Sequence, residues 1–212
     1  ISYFCHWYSA TKIRQLIDIQ IKIMAKVYEF LATGFEEIEA LAPVDILRRG
    51  GVEIKTVSIS ETEYVVSAHG VTIKADMIFT KPEDYADADM LLLPGGMPGA
   101  SNLNAHEGVR KALLLQNKAG KRIGAICAGP MVLGSLGLLN GRKATCYPGF
   151  EKFLTGAEYT ATLFEEDGNI ITGEGPAAVL PYSYRILTYF AGEDESAQVQ
   201  RGMLYDLLME TH

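Results

Sequence analysis

The sequence predicts an α/β fold with a mostly parallel sheet, and three of its stretches carry that prediction. In the first, Val27-Tyr28-Glu29-Phe30-Leu31-Ala32 reads as a buried strand and Thr33-Gly34-Phe35 as the turn leaving it. Helical spacing follows through Ile38, Leu41, Ala42, Asp45, Ile46 and Arg49, Gly50-Gly51 supplies a left-handed stop, and residues 52–59 read as a second strand. Strand, helix and strand in that order imply a parallel pair joined by a right-handed crossover. In the second stretch, Met90-Leu91-Leu92-Leu93 is too apolar for an edge and too short for a helix, so it is expected as a central parallel strand. The third stretch runs from Lys121 through a short apolar segment to a lone cysteine among small residues, Ala125-Ile126-Cys127-Ala128-Gly129-Pro130. It has the composition of a strand, a tight turn and a helix start, the nucleophile elbow that presents a reactive side chain above a sheet edge. Pro130 stands where a missing N–H costs nothing, and the helix it opens would aim its positive end at the sulfur and lower the thiol pKa. A cysteine at a strand end also packs as a small hydrophobe, and the stretch alone leaves that alternative open.

At 212 residues, with 48% hydrophobic and 21% charged content, the chain can bury one large core, and residues 24–212 are read as a single domain. Its 26 acids against 19 bases leave a net charge of −7 with no basic stripe, which argues against nucleic acid as a partner. Cys5, Cys127 and Cys146 are odd in number and irregular in spacing, so neither a disulfide scaffold nor a thiolate metal site is expected, and a reducing cytoplasm fits. Met24-Ala25-Lys26 reads as a natural start, which makes residues 1–23 an upstream extension. Ile13, Leu16, Ile17 and Ile21 keep rough helical spacing there, but Lys12, Arg14, Asp18, Gln20 and Lys22 interrupt any run able to span a bilayer. No secretory signal is expected either, because an uninterrupted apolar region and a small-residue cleavage site are both missing before Met24.

The remaining elements follow in order. Tyr64-Val65-Val66 and Val71-Thr72-Ile73 flank Ser67-Ala68-His69-Gly70 as a small hairpin, and Lys81-Pro82-Glu83-Asp84 is a loop. Pro94-Gly95-Gly96-Met97-Pro98-Gly99 ends the central strand with glycines whose N–H groups can approach a ligand, although a plain strand-to-helix turn would look the same. Residues 107–119 form a helix with Val109, Leu113 and Leu114 on one face, stopped by Gly120; residues 131–136 form another, and residues 143–146 a short strand. Residues 159–164 and 169–172 read as strands joined by the turn Glu165-Glu166-Asp167-Gly168. Gly173-Glu174-Gly175-Pro176 opens a helix to Phe190 with a kink expected at Pro181, and Gly192-Glu193-Asp194-Glu195 starts a last helix reaching about Leu208. Since open α/β sheets bind ligands at the carboxyl ends of their strands, residues 34–39, residues 95–99 and Cys127 are expected to converge.

Leu93-Pro94-Gly95-Gly96, Ala125-Ile126-Cys127-Ala128-Gly129-Pro130, and Glu36-Glu37-Ile38-Glu39 followed by Pro43-Val44-Asp45 together resemble the ThiJ/PfpI superfamily, most closely its DJ branch, and Gly173-Glu174-Gly175-Pro176 resembles a fourth motif of it. The likeness runs from about Lys26 to about Leu208 and leaves residues 1–23 outside. It implies a flavodoxin-like three-layer α/β/α sandwich, a homodimer, no cofactor and no metal, with Cys127 as the reactive cysteine and Glu39 as the buried glutamate that hydrogen-bonds its sulfur. The resemblance places backbone N–H donors for an oxyanion at Gly96 and Ala128, surrounds the pocket with Gly95 and Gly129, and puts Asp45 and Arg49 on a first helix that contributes to the dimer contact; Arg49 is carried as a pocket residue too. Two positions depart from the pattern. Tyr147 stands where many members have a histidine after the elbow, and no histidine follows until His212, which removes a Cys-His dyad of that geometry. His69 falls roughly where some members have a pocket arginine; a plain turn residue is the equal alternative.

An ionised Glu39 beside the sulfur would raise the thiol pKa by like-charge repulsion, whereas a protonated one would donate to it, so a neutral Glu39 and an ionised Cys127 are expected, with Glu36 and Glu37 as solvated carboxylates. The resemblance then implies a glyoxalase-III-like or deglycase-like enzyme acting on small reactive carbonyls or their protein adducts. A redox-sensing, chaperone-like protein using Cys127 as the oxidation sensor is the alternative, and a cysteine peptidase or amidotransferase-like hydrolase ranks third.

Overall fold

The computed structural model describes residues 25–210; Cys5, His212 and the spacing read in residues 1–23 lie outside them. A seven-stranded sheet forms the middle layer, in the order β10-β11-β7-β6-β1-β2-β5. Its strands are β1 (Lys26–Leu31), β2 (Glu53–Ser58), β5 (Met77–Ile78), β6 (Met90–Leu93), β7 (Arg122–Ile126), β10 (Phe164–Asp167) and β11 (Ile170–Gly173). All neighbours run parallel except β10 and β11. The sequence expectation of a parallel sheet with residues 90–93 at its centre is met: β6 lies between β1 and β7, and all four of its residues are buried.

Alternation along the strands divides the core into two apolar layers. Tyr28, Phe30, Leu91, Leu93, Ile123 and Ala125 face α2 (Gly99–Ala105), α3 (Glu107–Lys118) and α4 (Pro130–Ser135). Val27, Ile54, Met90, Leu92, Ile126 and Ile171 face α1 (Glu37–Arg49), α5 (Val179–Ala191) and α6 (Glu193–Gly202). Helices on both faces explain why the central strands read as continuous apolar runs. The hairpin of β3 (Tyr64–Val66) and β4 (Thr72–Lys74) forms a separate two-stranded sheet, fastened to the main body where Phe35 bridges Ser67. Among the described residues no helix is long and apolar enough to cross a membrane.

Several boundaries differ from the sequence reading. Glu165, Glu166 and Asp167 belong to β10 and not to a turn; Gly168, at φ +63°, makes the reversal, because only there is a left-handed residue needed. Pro181 is the third residue of α5, in the first turn whose N–H groups lack helical partners anyway, so it interrupts no ladder. The last helix breaks at Leu204, φ +60°, into α6 and α7 (Tyr205–Glu210). Residues 143–146 reduce to β8 (Lys143–Ala144), paired with β9 (Glu158–Tyr159), and the loop at residues 81–84 is a 3-10 turn, Pro82–Tyr85. On α1, Leu47 is wholly buried, while Ile38 and Leu41 are exposed.

One side chain conflicts with the apolar layer that holds it. Glu29, on β1 opposite Thr56 and Leu92, is 1% exposed, and its Oε2 has no hydrogen-bond partner. Burial pushes its pKa well above the ordinary 4.5, Arg48 opposes the rise and Glu39 adds to it. From pH 4.5 upward the folded chain keeps a proton that the unfolded chain releases, so Glu29 lowers stability progressively as pH climbs. Glu29→Leu should therefore raise the urea midpoint by about 1–3 kcal/mol equivalent at pH 8, and by less at pH 4.5. A midpoint difference that is flat or shrinks with pH would show that Glu29 has a partner the fold supplies.

Candidate active site

The site forms where β1, β6 and β7 end. Gly34, at φ +87°, turns the chain out of β1, and its carbonyl accepts from Gly99 N–H at 3.1 Å; a Cβ there would strike Pro98. Glu36 N–H then donates to the Gly95 carbonyl at 3.0 Å, which ties the start of α1 to the end of β6. Glu36 is the cap of that helix: its Oε2 accepts from Glu39 N–H at 2.7 Å. It is 8% exposed, not the solvated carboxylate expected, because the Gly34 turn and the β6 exit close over it. The same arrangement aims Glu39 inward, where it is wholly buried and its Oε2 accepts from Gly95 N–H at 2.9 Å.

Cys127 stands at the elbow with φ +62°, a left-handed conformation costing about 1–3 kcal/mol for a residue with a side chain. Two backbone bonds hold it there: its N–H donates to the Gly173 carbonyl at 2.9 Å, and its carbonyl accepts from Tyr147 N–H at 2.9 Å. Gly95 completes the packing. A Cβ at that position would lie 2.6 Å from both Cys127 Cβ and Glu39 Oε2, so only glycine allows the carboxyl and the thiol to share one crevice. The amides of Gly96 and Ala128 border the sulfur and favour its ionised form.

The electrostatics of the pair follow from burial. Desolvation lifts Glu39 to about pKa 7, the hydrogen bond with Cys127 opposes the rise, and the charge of Glu36 adds to it. Glu39 Oε1 has no hydrogen-bond partner, which fits a carboxyl that carries its own proton. Burial also raises the thiol, as do the charge and hydrogen bond of Glu39, while the Gly96 and Ala128 amides pull it down. The expected neutral Glu39 is thus supported. The expected low thiol pKa is not met: burial first, then the charge and hydrogen bond of Glu39, push the Cys127 thiol well above the ordinary value. With the thiol raised and the carboxyl near 7, the pair loses its first proton around neutrality, and a thiolate exists only in the fraction where the remaining proton sits on Glu39.

The other sequence candidates lie at varying distances from this pair. Tyr147 reaches the elbow through its backbone, while its ring lines a neighbouring cavity of about 180 Å³ with Pro148, Leu163, Glu174 and Gly175. Gly129 is structural: its N–H bonds Ile126, and a Cβ would meet the Leu93 carbonyl at 2.8 Å. His69 is not in the crevice; it is exposed on the hairpin turn and pairs with Glu37 at 3.1 Å. Arg49 is excluded from the pocket, because it pairs with Asp45 on the last exposed turn of α1, ten residues or about 15 Å along the axis from Glu39. Glu36 is the contributor the sequence reading missed. Its spacing of three residues to Glu39 imitates a capping box with glutamate at the cap, where serine, threonine or aspartate is usual. A larger cavity of about 290 Å³, between the Pro82–Tyr85 turn and α3, contains none of these residues.

Alkylation by iodoacetamide tests the shared proton. The Cys127 rate should rise through about pH 7, where Glu39 titrates. In Glu39→Leu that inflection should vanish and the rate at pH 7 should fall on the order of tenfold, with Glu39→Gln, which keeps a donor, in between. Cys146, wholly buried and pushed up to about 12, should lag throughout. An unchanged profile in Glu39→Leu would mean that the carboxyl does not govern the sulfur.

Comparison with known proteins agrees with this geometry. Residues 25–188 match the DJ-1/PfpI family. The chain is 35% identical over 160 residues to a deglycase of Pyrococcus horikoshii, covering 72% of this chain and 91% of that one. It is 32% identical over 163 residues to a glutathione-independent glyoxalase of Caenorhabditis elegans, covering 76% and 86%. Against DJ-1 homolog B of Arabidopsis thaliana it is 34% identical over 178 residues, 82% of this chain but only 40% of that one, so it spans less than half of the plant relative. A DJ-1 superfamily protein of Salmonella typhimurium superposes with a TM-score of 0.78 at 34% identity, covering 86% and 98%, and the shared fold is flavodoxin-like. The match takes in both the helix that carries Glu39 and the elbow that carries Cys127, and the chain belongs to the DJ-1/PfpI family.

Proposed function

We propose that this chain is a cysteine-dependent, cofactor-independent enzyme that converts small 2-oxoaldehydes such as methylglyoxal to hydroxy acids, or removes their early adducts from proteins. The observation that supports the reading is the crevice around Gly95, where the Glu39 carboxyl accepts from the Gly95 amide and lies beside Cys127. Deglycase and glyoxalase relatives support it.

The chemistry uses the pair in sequence. The Cys127 thiolate adds to the aldehyde carbon, forming a C–S bond, and the oxygen that gains the electron pair lies toward the Gly96 and Ala128 amides. That oxygen takes the proton from Glu39, giving a neutral hemithioacetal and an ionised Glu39. The carboxylate then removes the hydrogen on the former aldehyde carbon and returns it to the neighbouring carbon, which turns the hemithioacetal into a thioester. Water cleaves the C–S bond, releases lactate and restores the thiol. The net change is addition of one water, with no external oxidant or reductant.

A redox-sensing role remains a second reading, favoured by the same two amides and the Glu39 proton, which would hydrogen-bond a sulfinate as readily as an alkoxide. The hydrolase reading loses ground: among the described residues the imidazoles are His69, paired with Glu37, and His106, which caps α3, and neither touches Cys127. A symmetric dimer belongs to the proposal, with the exposed Ile38 and Leu41 of α1 as its apolar contribution; a light-scattering mass of a single chain would exclude it.

Incubation with methylglyoxal should yield lactate in wild type and none above background in Cys127→Ala. Glu39→Gln should alkylate but lose turnover by about 10²–10⁴-fold, the usual worth of a positioned general base. Lactate formation that survives Cys127→Ala would overturn the mechanism.

A further inference from the structure

Beside the Cys127 crevice lies the cavity of about 180 Å³ that the carbonyl chemistry leaves unused. The elbow itself holds two of its walls. Cys127 N–H donates to the Gly173 carbonyl, immediately before Glu174, and the Cys127 carbonyl accepts from Tyr147 N–H, both at 2.9 Å. Glu174 and Tyr147 are thus each fastened next to a backbone group of the reacting residue, and both line the cavity with Leu163, Gly175 and Pro176. Gly175 packs against the aromatic wall, since a Cβ there would lie 3.2 Å from the Tyr147 ring. At this volume, below the roughly 300–1,000 Å³ of pockets for drug-sized ligands, the cavity suits one side-chain head and not a whole metabolite.

Its polar character comes from one carboxylate. Glu174 is half-buried, its backbone N–H is fixed to the Leu163 carbonyl at 2.9 Å, and no side chain caps the Pro176–Ala178 turn or α5 that follow it. Among the described residues no lysine, arginine or histidine forms an ion pair with it. Glu151 differs, because its Oε2 accepts from Gly149 N–H at 2.6 Å. Burial first, then the charges of Glu151 and Glu174, push the Cys146 thiol up to about 12, which marks this side of the elbow as negative. The same cavity presents an aromatic ring: Tyr147 is 48% exposed and stands nearly perpendicular to Phe150 at 6.5 Å. A carboxylate and an accessible ring over an apolar floor attract a cation and disfavour an anion.

We propose that the cavity between Tyr147 and Glu174 is a subsite for the guanidinium of an arginine side chain. A planar guanidinium can fork onto the Glu174 carboxylate and stack on the Tyr147 ring, whereas a lysine ammonium offers neither the fork nor the planar stack. The assignment rests on the carbonyl chemistry proposed for Cys127 and narrows its substrate class. Free 2-oxoaldehydes and their adducts on cysteine are neutral and gain nothing from Glu174. An early adduct on arginine keeps a positive charge next to the fragment that must reach Cys127, so arginine-borne adducts are the class this site selects. The subsite binds and orients; it takes part in no covalent step.

Isothermal titration with two unreactive probes tests the assignment apart from turnover. Nα-acetyl-Nω-propylarginine amide carries three carbons on its guanidinium, as a methylglyoxal adduct does, and the matching propylcitrulline has the same shape without the charge. The full chain carrying Cys127→Ala should bind the arginine probe at least about tenfold more tightly than the citrulline probe, as a hydrogen-bonded charge contact is worth. Adding Glu174→Gln should abolish that preference and Glu174→Asp should keep part of it, while Tyr147→Leu should weaken the arginine probe by about two- to fivefold. A merely structural role for Glu174 would shift both probes alike. In wild type the arginine probe should raise the apparent KM for methylglyoxal and leave kcat unchanged. Preference for the arginine probe without any lactate formation would sink the catalytic reading and uphold the subsite. Equal binding of the two probes, or a preference that survives Glu174→Gln, would overturn the subsite even if lactate forms.

Discussion

A buried carboxyl and a buried thiol cannot both be ionised in one apolar crevice, and much of the local architecture follows from that restriction. Gly95 has no side chain because the space beside its Cα is occupied by the two reacting groups. Glu36 holds the Glu39 amide, and the start of α1 is bonded to the end of β6, so that the carboxyl cannot swing out into water and ionise freely. The elbow is strained, yet bonds from β11 and from Tyr147 hold it on either side. The setting of Cys127 is thus made by a backbone cage and a neighbouring carboxyl.

The same apolar layer carries a second acid, Glu29, without a cation close enough to neutralise it fully. Tyr182, wholly buried in that layer, has its pKa raised first by burial and then by Glu29 and Glu39. Its hydroxyl packs over Gly124, the strand partner of Leu92. One side of the sheet therefore holds a row of protonated groups below the reacting pair. Such a layer sacrifices stability at alkaline pH and keeps the local dielectric low, the usual relation between a functional site and the fold that supports it.

How much of this was legible in the sequence depends on the range of the interaction involved. The β1-α1-β2 opening, the central β6 strand and the elbow were readable because each is a local pattern: an apolar run, a glycine stop, small residues around one cysteine. The convergence of residues 34–39, 95–99 and Cys127 was readable from the rule for parallel sheets. Burial of Glu36 was not, since nothing local distinguishes it from its neighbour Glu37, which is half-buried against His69. Nor was the strand at Glu165–Asp167, whose acidic residues look like a turn until Arg122 and Arg185 arrive from elsewhere to pair with Glu166. Arg49 was misplaced because helix length, not motif, decides which end faces the site. Pro181 misled for a similar reason, as its effect depends on how many residues precede it within the helix.

The two borders of the main sheet have a further consequence. On one side β5 has only two residues, and on the other β10 is four residues long and half-buried, with Glu166 and Asp167 paired to arginines. A short border offers too few free N–H and C=O groups to template another chain, and a border studded with ion-paired charges disfavours strand addition. Extension of the sheet from molecule to molecule is closed off at both ends. Among the described residues, the sheet's borders thus invite strand addition less than the helical faces invite packing.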